Sequence, residues 1–169
     1  MATAEEWAKG YVRQANADFR RFQFLQSDGA VAECHKLQFL QMACEKLVKA
    51  HLCATGTPPE FVQTSHAYIE KTLPIVLRQK LVEHRLPAKK ATELLKFVKR
   101  LAGEIEVLAP SVDRAGKRPD NCEYPWEDQN GKLHTPLDWS FVPSQLLVIS
   151  NGRTFLKLLD AAIRDLLGS

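Results

Sequence analysis

The chain has 169 residues, 45% of them hydrophobic and 25% charged, which suits one domain with a real core and excludes a disordered or fibrous chain. A net charge of +3 is too small to imply nucleic-acid binding unless the cations cluster. No run of about 18 apolar residues marks a membrane span. The opening MATAEEWAKGYVRQ lacks the basic start and apolar middle of a signal peptide. The expected compartment is therefore the cytoplasm, where Cys34, Cys44, Cys53 and Cys122, none in a Cys-x-x-Cys pair, stay free thiols.

Residues 3–26 form the first predicted helix. Trp7, Tyr11, Ala15, Asp18 with Phe19, Phe22 and Leu25 recur at intervals of three and four. Gly29 stops it. The second helix starts near Cys34, with Leu37, Leu40, Cys44, Leu47 and His51 as its apolar stripe. Gln41, Val48 and Leu52 widen that stripe, whereas Gln38, Glu45, Lys46 and Lys49 fall largely off it. Gly56 and Pro58-Pro59 end it.

Thr64 or Ser65 caps a third helix that runs to about His84, with Pro74 expected to kink it or split it in two. Pro87 opens a fourth, in which Ala91, Leu94, Val98, Leu101, Ile105 and Leu108 give the cleanest periodicity in the chain. Residues 109–150 change character. They hold five of the nine prolines and two of the three tryptophans, and Asn130-Gly131 signals a tight turn. A short hairpin or an ordered loop fits this stretch. The last helix covers residues 151–168, capped by Ser150 or Asn151. The expected fold is all-α: a bundle of about five helices with a proline- and aromatic-rich insertion before the last.

The order of three pieces carries a family resemblance. They are Ala15-Asn16-Ala17-Asp18 on the first helix, Gln41-Met42-Ala43-Cys44-Glu45-Lys46-Leu47-Val48-Lys49 on the second, and Ser65-His66 after the glycine turn. In this order the chain resembles the HEPN domain family (higher eukaryotes and prokaryotes nucleotide-binding). The resemblance covers residues 1–108 and leaves 109–150 unexplained. It implies an all-helical, often dimeric module, found in toxin–antitoxin and antiviral systems. Some members cleave RNA without metal, and others bind partners or nucleotides.

The active members carry an arginine and a histidine separated by four to six residues. Imidazole moves protons near neutral pH, and guanidinium steadies charge on a phosphate. The one match here is Arg78 with His84. On a helix that spacing sets the two side chains about 120° apart, so a surface arginine and a helix-end histidine is the plainer reading. The match also precedes the fourth helix, and the final helix contains no histidine. His66 is the second catalytic candidate. A helix start favours its neutral imidazole, and a packing or capping role competes.

Arg85, Lys89, Lys96, Lys99 and Arg100 lie off the apolar stripe of the fourth helix and form a candidate phosphate-tracking face. Glu93 and Glu104 interleave, as on any solvated face. Tyr124 and Trp126 straddle Pro125. Their rings either cover the bundle or anchor a partner or second copy. His51-x-Cys53 is the nearest approach to a ligand pair and nothing completes it, so neither a metal nor a cofactor is expected. No glycine-rich phosphate loop and no Gly-x-Ser-x-Gly occurs.

These readings favour an interaction module, a homodimer or one subunit of a bacterial nucleic-acid-linked stress or defence complex. The alternatives are a metal-independent ribonuclease using Arg78 and His84, and a non-catalytic RNA- or DNA-binding bundle.

Overall fold

The structure, a computed structural model, describes residues 2–83, 86–112 and 118–168. Seven α-helices occur among them: α1 Ala4–Gln26, α2 Glu33–Ala54, α3 Pro59–Gln63, α4 Ile69–Glu83, α5 Ala88–Glu106, α6 Val142–Leu147 and α7 Ser150–Gly168. One antiparallel pair, β1 Trp126–Glu127 and β2 Leu133–His134, lies in the insertion, with Trp126 opposite His134. The fold is an all-α bundle. No helix among the described residues is long and apolar enough to cross a membrane.

Local chemistry explains the element ends. Thr3 and Glu6 form a capping box at the start of α1: Glu6 N–H donates to Thr3 Oγ1 at 3.2 Å and Thr3 N–H to Glu6 Oε2 at 2.7 Å. Such a cap stabilises a helix by about 1 kcal/mol. Gly56 follows α2 at φ 96°, the left-handed backbone that ends helices and that glycine adopts without strain. Gly131, at φ 75°, turns β1 into β2 where Asn130-Gly131 signals a turn.

The core is continuous. Phe19 and Phe22 of α1, Leu37, Leu40 and Leu47 of α2, Leu73 and Leu77 of α4, Leu101 and Ile105 of α5, and Phe155 of α7 are all below 2% exposed. Each contributes roughly 1.5–3 kcal/mol of apolar transfer. α2 is the central rod. It packs along α1 and also touches α3, α4, α5, α6 and α7. Its polar residues are therefore drawn inside, and Gln41, Glu45 and Lys49 are buried at 3%, 9% and 5% exposure. The expectation that Glu45 and Lys49 fall off the packed face is corrected here, because this helix is enclosed on more than one side.

Three boundaries also differ from expectation. Residues 64–68 are not helical, so α4 begins at Ile69 rather than at Thr64 or Ser65. Pro74 does not split α4, which runs through it to Glu83. As the sixth residue of α4 it removes one main-chain donor, and the helix continues past it. Two short helices, α3 and α6, stand where loops were expected, each with proline in its first turn.

The insertion is strapped down at several points. Arg118 bonds Glu104 of α5 at 2.9 Å and Asp120 at 3.1 Å. Cys122 N–H donates to Leu108 O at 3.0 Å. Buried Asn121 accepts from Glu123 N–H at 2.9 Å and Tyr124 N–H at 2.8 Å, and donates to Pro119 O at 3.0 Å. These bonds fix where Glu123 stands. Further on, α6 meets α7 at Gly152, whose hydrogen faces the main chain of Leu146 and Leu147; a Cβ there would lie 2.1 Å from Leu146 O.

Candidate functional site

Two places gather chemistry-bearing side chains. The first is a groove between α4 and α5. Amphipathic α5 packs Leu94, Val98, Leu101 and Ile105 inward, which leaves Lys96, Lys99 and Arg100 at the surface. α4 packs alongside and exposes Arg78 and Ile75. Arg78, Lys96 and Lys99 then line one groove of about 350 Å³, floored by Pro74, Ile75 and Leu95 and edged by Thr92. A second depression, of about 400 Å³, includes Lys96, Lys99 and Arg100 together with Glu70, Glu104 and Arg118. Glu104 is held by Arg118 there. The face thus carries four cations from two helices, beside an apolar floor.

The sequence candidates distribute as follows. Arg78, Lys96 and Lys99 converge, with Arg100 adjoining. Lys89 is exposed in the first turn of α5 and lines neither depression. His84 and Arg85 lie outside the described residues. Trp126 is buried at 8% exposure, its ring 6.0 Å from His134 and 5.3 Å from Trp139. It therefore serves the covering role. Tyr124 is 61% exposed and leaves the anchor role open to itself alone.

His66 belongs to the second place. It stands in the turn before α4, and its Nδ1 lies 3.0 Å from Glu45 Oε1. Glu45 also receives Lys49 Nζ at 2.8 Å on that same oxygen and Gln41 Nε2 at 3.0 Å on the other. Gln41, Glu45 and Lys49 are successive i, i+4 neighbours, so one row of α2 builds the cluster. Lys49 also sits over the Tyr11 ring at 5.9 Å. Burial pushes the Glu45 carboxyl up. The Lys49 ammonium, Gln41 and His66 outweigh that push and hold it below the ordinary carboxylate value.

A cavity of about 460 Å³ opens on this cluster. Gln41, Met42, Glu45 and Lys46 of α2 line it, with His66, Ala109, Pro110, Ser111 and Glu123. Lys46 is committed to Asp18 of α1, which it meets at 2.7 Å. Sequence reasoning picked His66 but missed Glu45 and Glu123. The spacing of Gln41, Glu45 and Lys49 could have flagged the row. Nothing in the sequence placed residue 123 beside it.

Among the described residues no group of three or more histidines, cysteines and acidic residues is arranged to hold a metal ion. All four cysteines are free and buried, and burial pushes the Cys44 and Cys122 thiols far up, which removes them as nucleophiles. Compared with protein-family models, with curated proteins and with solved structures, the chain matches none.

Proposed function

We propose that this chain is a HEPN-like interaction module that engages nucleic acid through the α4–α5 groove. One observation carries the reading: Arg78 of α4 and Lys96 and Lys99 of α5 line a single groove with an apolar floor. Cations from two helices track phosphates, and an exposed apolar floor accepts the face of an unstacked base. Single-stranded RNA fits this combination better than duplex, whose bases are stacked away from such a floor. The family resemblance of residues 1–108 points the same way, towards nucleic-acid-linked systems.

The test is binding of a fluorescent single-stranded RNA at rising salt. Affinity is expected to fall steeply with salt, and Lys96→Glu with Lys99→Glu to remove most of it. A flat salt response, or full binding by the double variant, overturns the reading.

A partner-binding role, as a homodimer or as a subunit of a complex, is favoured by a separate observation. Tyr124, Leu133 and Leu137 of the insertion are exposed at 61%, 68% and 66%. Large exposed side chains on a strapped-down segment suit a protein contact. Light scattering of the purified chain, and of a Tyr124→Ser/Leu137→Ser variant, checks it. A monomer in both that captures no partner removes it.

A further inference from the structure

The cavity beside Glu45 and His66 uses none of the groove residues, and its chemistry is opposite in sign. Ionised Glu45 only accepts hydrogen bonds, so the Nδ1 of His66 that faces it at 3.0 Å carries the proton. In that tautomer Nε2 is the ring's acceptor, and no group among the described residues bonds it. Glu123, exposed on the rim, has no ion pair or side-chain hydrogen bond among the described residues. Its position is nevertheless fixed, because its own N–H is tied to Asn121. The Ser111 hydroxyl is likewise without a described partner. Of the two lysines nearby, Lys49 is spent on Glu45 and Lys46 on Asp18.

The lining therefore offers a carboxylate, an imidazole acceptor and a hydroxyl, and it has no cation to spare. Met42, Ala109 and Pro110 supply an apolar wall. A ligand that satisfies these groups is rich in donors, positively charged and small enough for about 460 Å³. We infer that this cavity is a second binding site, for a small primary amine whose ammonium meets Glu123 and whose neighbouring hydroxyl or N–H donates to His66 Nε2. Glu45 acts as a positioning residue. It fixes the tautomer and orientation of His66, and Lys49 neutralises it so that its own charge does not have to be met by the ligand.

Ethanolamine, which carries an ammonium and a hydroxyl two carbons apart, is the probe. Titrated into the full chain, it is expected to shift the His66 ring nitrogens saturably in a nitrogen-15 NMR spectrum and to leave His35 and His51 unmoved. Glu123→Gln, on an exposed side chain that folding does not depend on, is expected to weaken binding by about tenfold, the loss of one charge-assisted bond. His66→Gln, read by the Ser111 amide, is expected to weaken it as well. Propanol, isosteric but uncharged, should not bind. Absence of a saturable shift overturns the inference. So does equal binding of propanol, or affinity that Glu123→Gln leaves unchanged. Because RNA binding is read at the other site, failure here and failure of the groove reading are separate results.

Discussion

Lys49 Nζ lies 2.8 Å from Glu45 Oε1, one helical turn along α2, with the two side chains 6% and 12% exposed. A pair this buried contributes little net stability, because desolvation offsets attraction, but removing one partner strands the other. Lys49→Met is expected to cost about 3–5 kcal/mol at neutral pH. The pH dependence gives the sign. In the native chain Glu45 is held below its ordinary value of 4.5, so its contribution is present above that value and is lost as pH falls below it. In Lys49→Met burial dominates, the carboxyl rises above its unfolded value, and the variant regains stability as pH falls. Urea unfolding of both proteins at pH 7 and pH 4 checks this. Parallel losses on acidification would remove the argument.

The hairpin has its own acid limit. Asp128 accepts from His134 Nε2 at 2.9 Å and from the Asn130 and Lys132 N–H groups at 2.8 and 3.0 Å. His134 chiefly, then these amides, hold its carboxyl at about 2 against an ordinary 3.8. A depressed carboxyl stabilises above its unfolded value and loses that contribution as pH drops towards the folded one. The turn is therefore expected to loosen between about pH 4 and pH 2, reported by fluorescence of Trp126 and Trp139 in a Trp7→Phe background. Asp128→Asn should abolish this acid step. An unchanged profile in that variant would show that another group governs it.

The long helices were legible because each shows the core one stripe. In α5, Leu94, Val98, Leu101 and Ile105 are all buried, as their spacing implies. α3 and α6, of five and six residues, are too short for a period to show, and the prolines that open them read equally well as loop signals. The site was half legible. The Lys96 and Lys99 face follows from α5 alone, but Arg78 joins it only through the pairing of α4 with α5, a tertiary fact. Glu45 and Lys49 were hidden for another reason. A helix enclosed on several sides must bury polar residues, and a stripe argument assigns those to solvent.

The seam between α6 and α7 is a close approach that only glycine permits. A Cβ at residue 152 would lie 2.1 Å from Leu146 O and 2.6 Å from Leu147 Cα. Both are main-chain atoms, so no side chain can swing away. Gly152→Ala is expected to destabilise the chain by about 1–3 kcal/mol, the usual cost of overpacking, despite the better helix propensity of alanine. The midpoint of urea unfolding reads this directly. A midpoint equal to the native one would mean that α6 shifts at no cost.

Arg78 separates binding from cleavage. If it contacts one phosphate in the groove, Arg78→Ala should weaken RNA binding and reduce the slope of log affinity against log salt by about 0.7, the share of a single phosphate on a single strand. A ribonuclease would need more. The guanidinium must stabilise a developing phosphorane while an imidazole moves the proton from the ribose hydroxyl. Arg78 is exposed at the groove with Lys96 and Lys99, and no histidine lines that groove among the described residues. RNA is therefore expected to remain intact when incubated with the chain in EDTA, with binding unaffected by the chelator. Cleavage that survives EDTA and disappears in both Arg78→Ala and His84→Ala would reassign this face to catalysis, because a phosphate contact alone cannot give a histidine-dependent product.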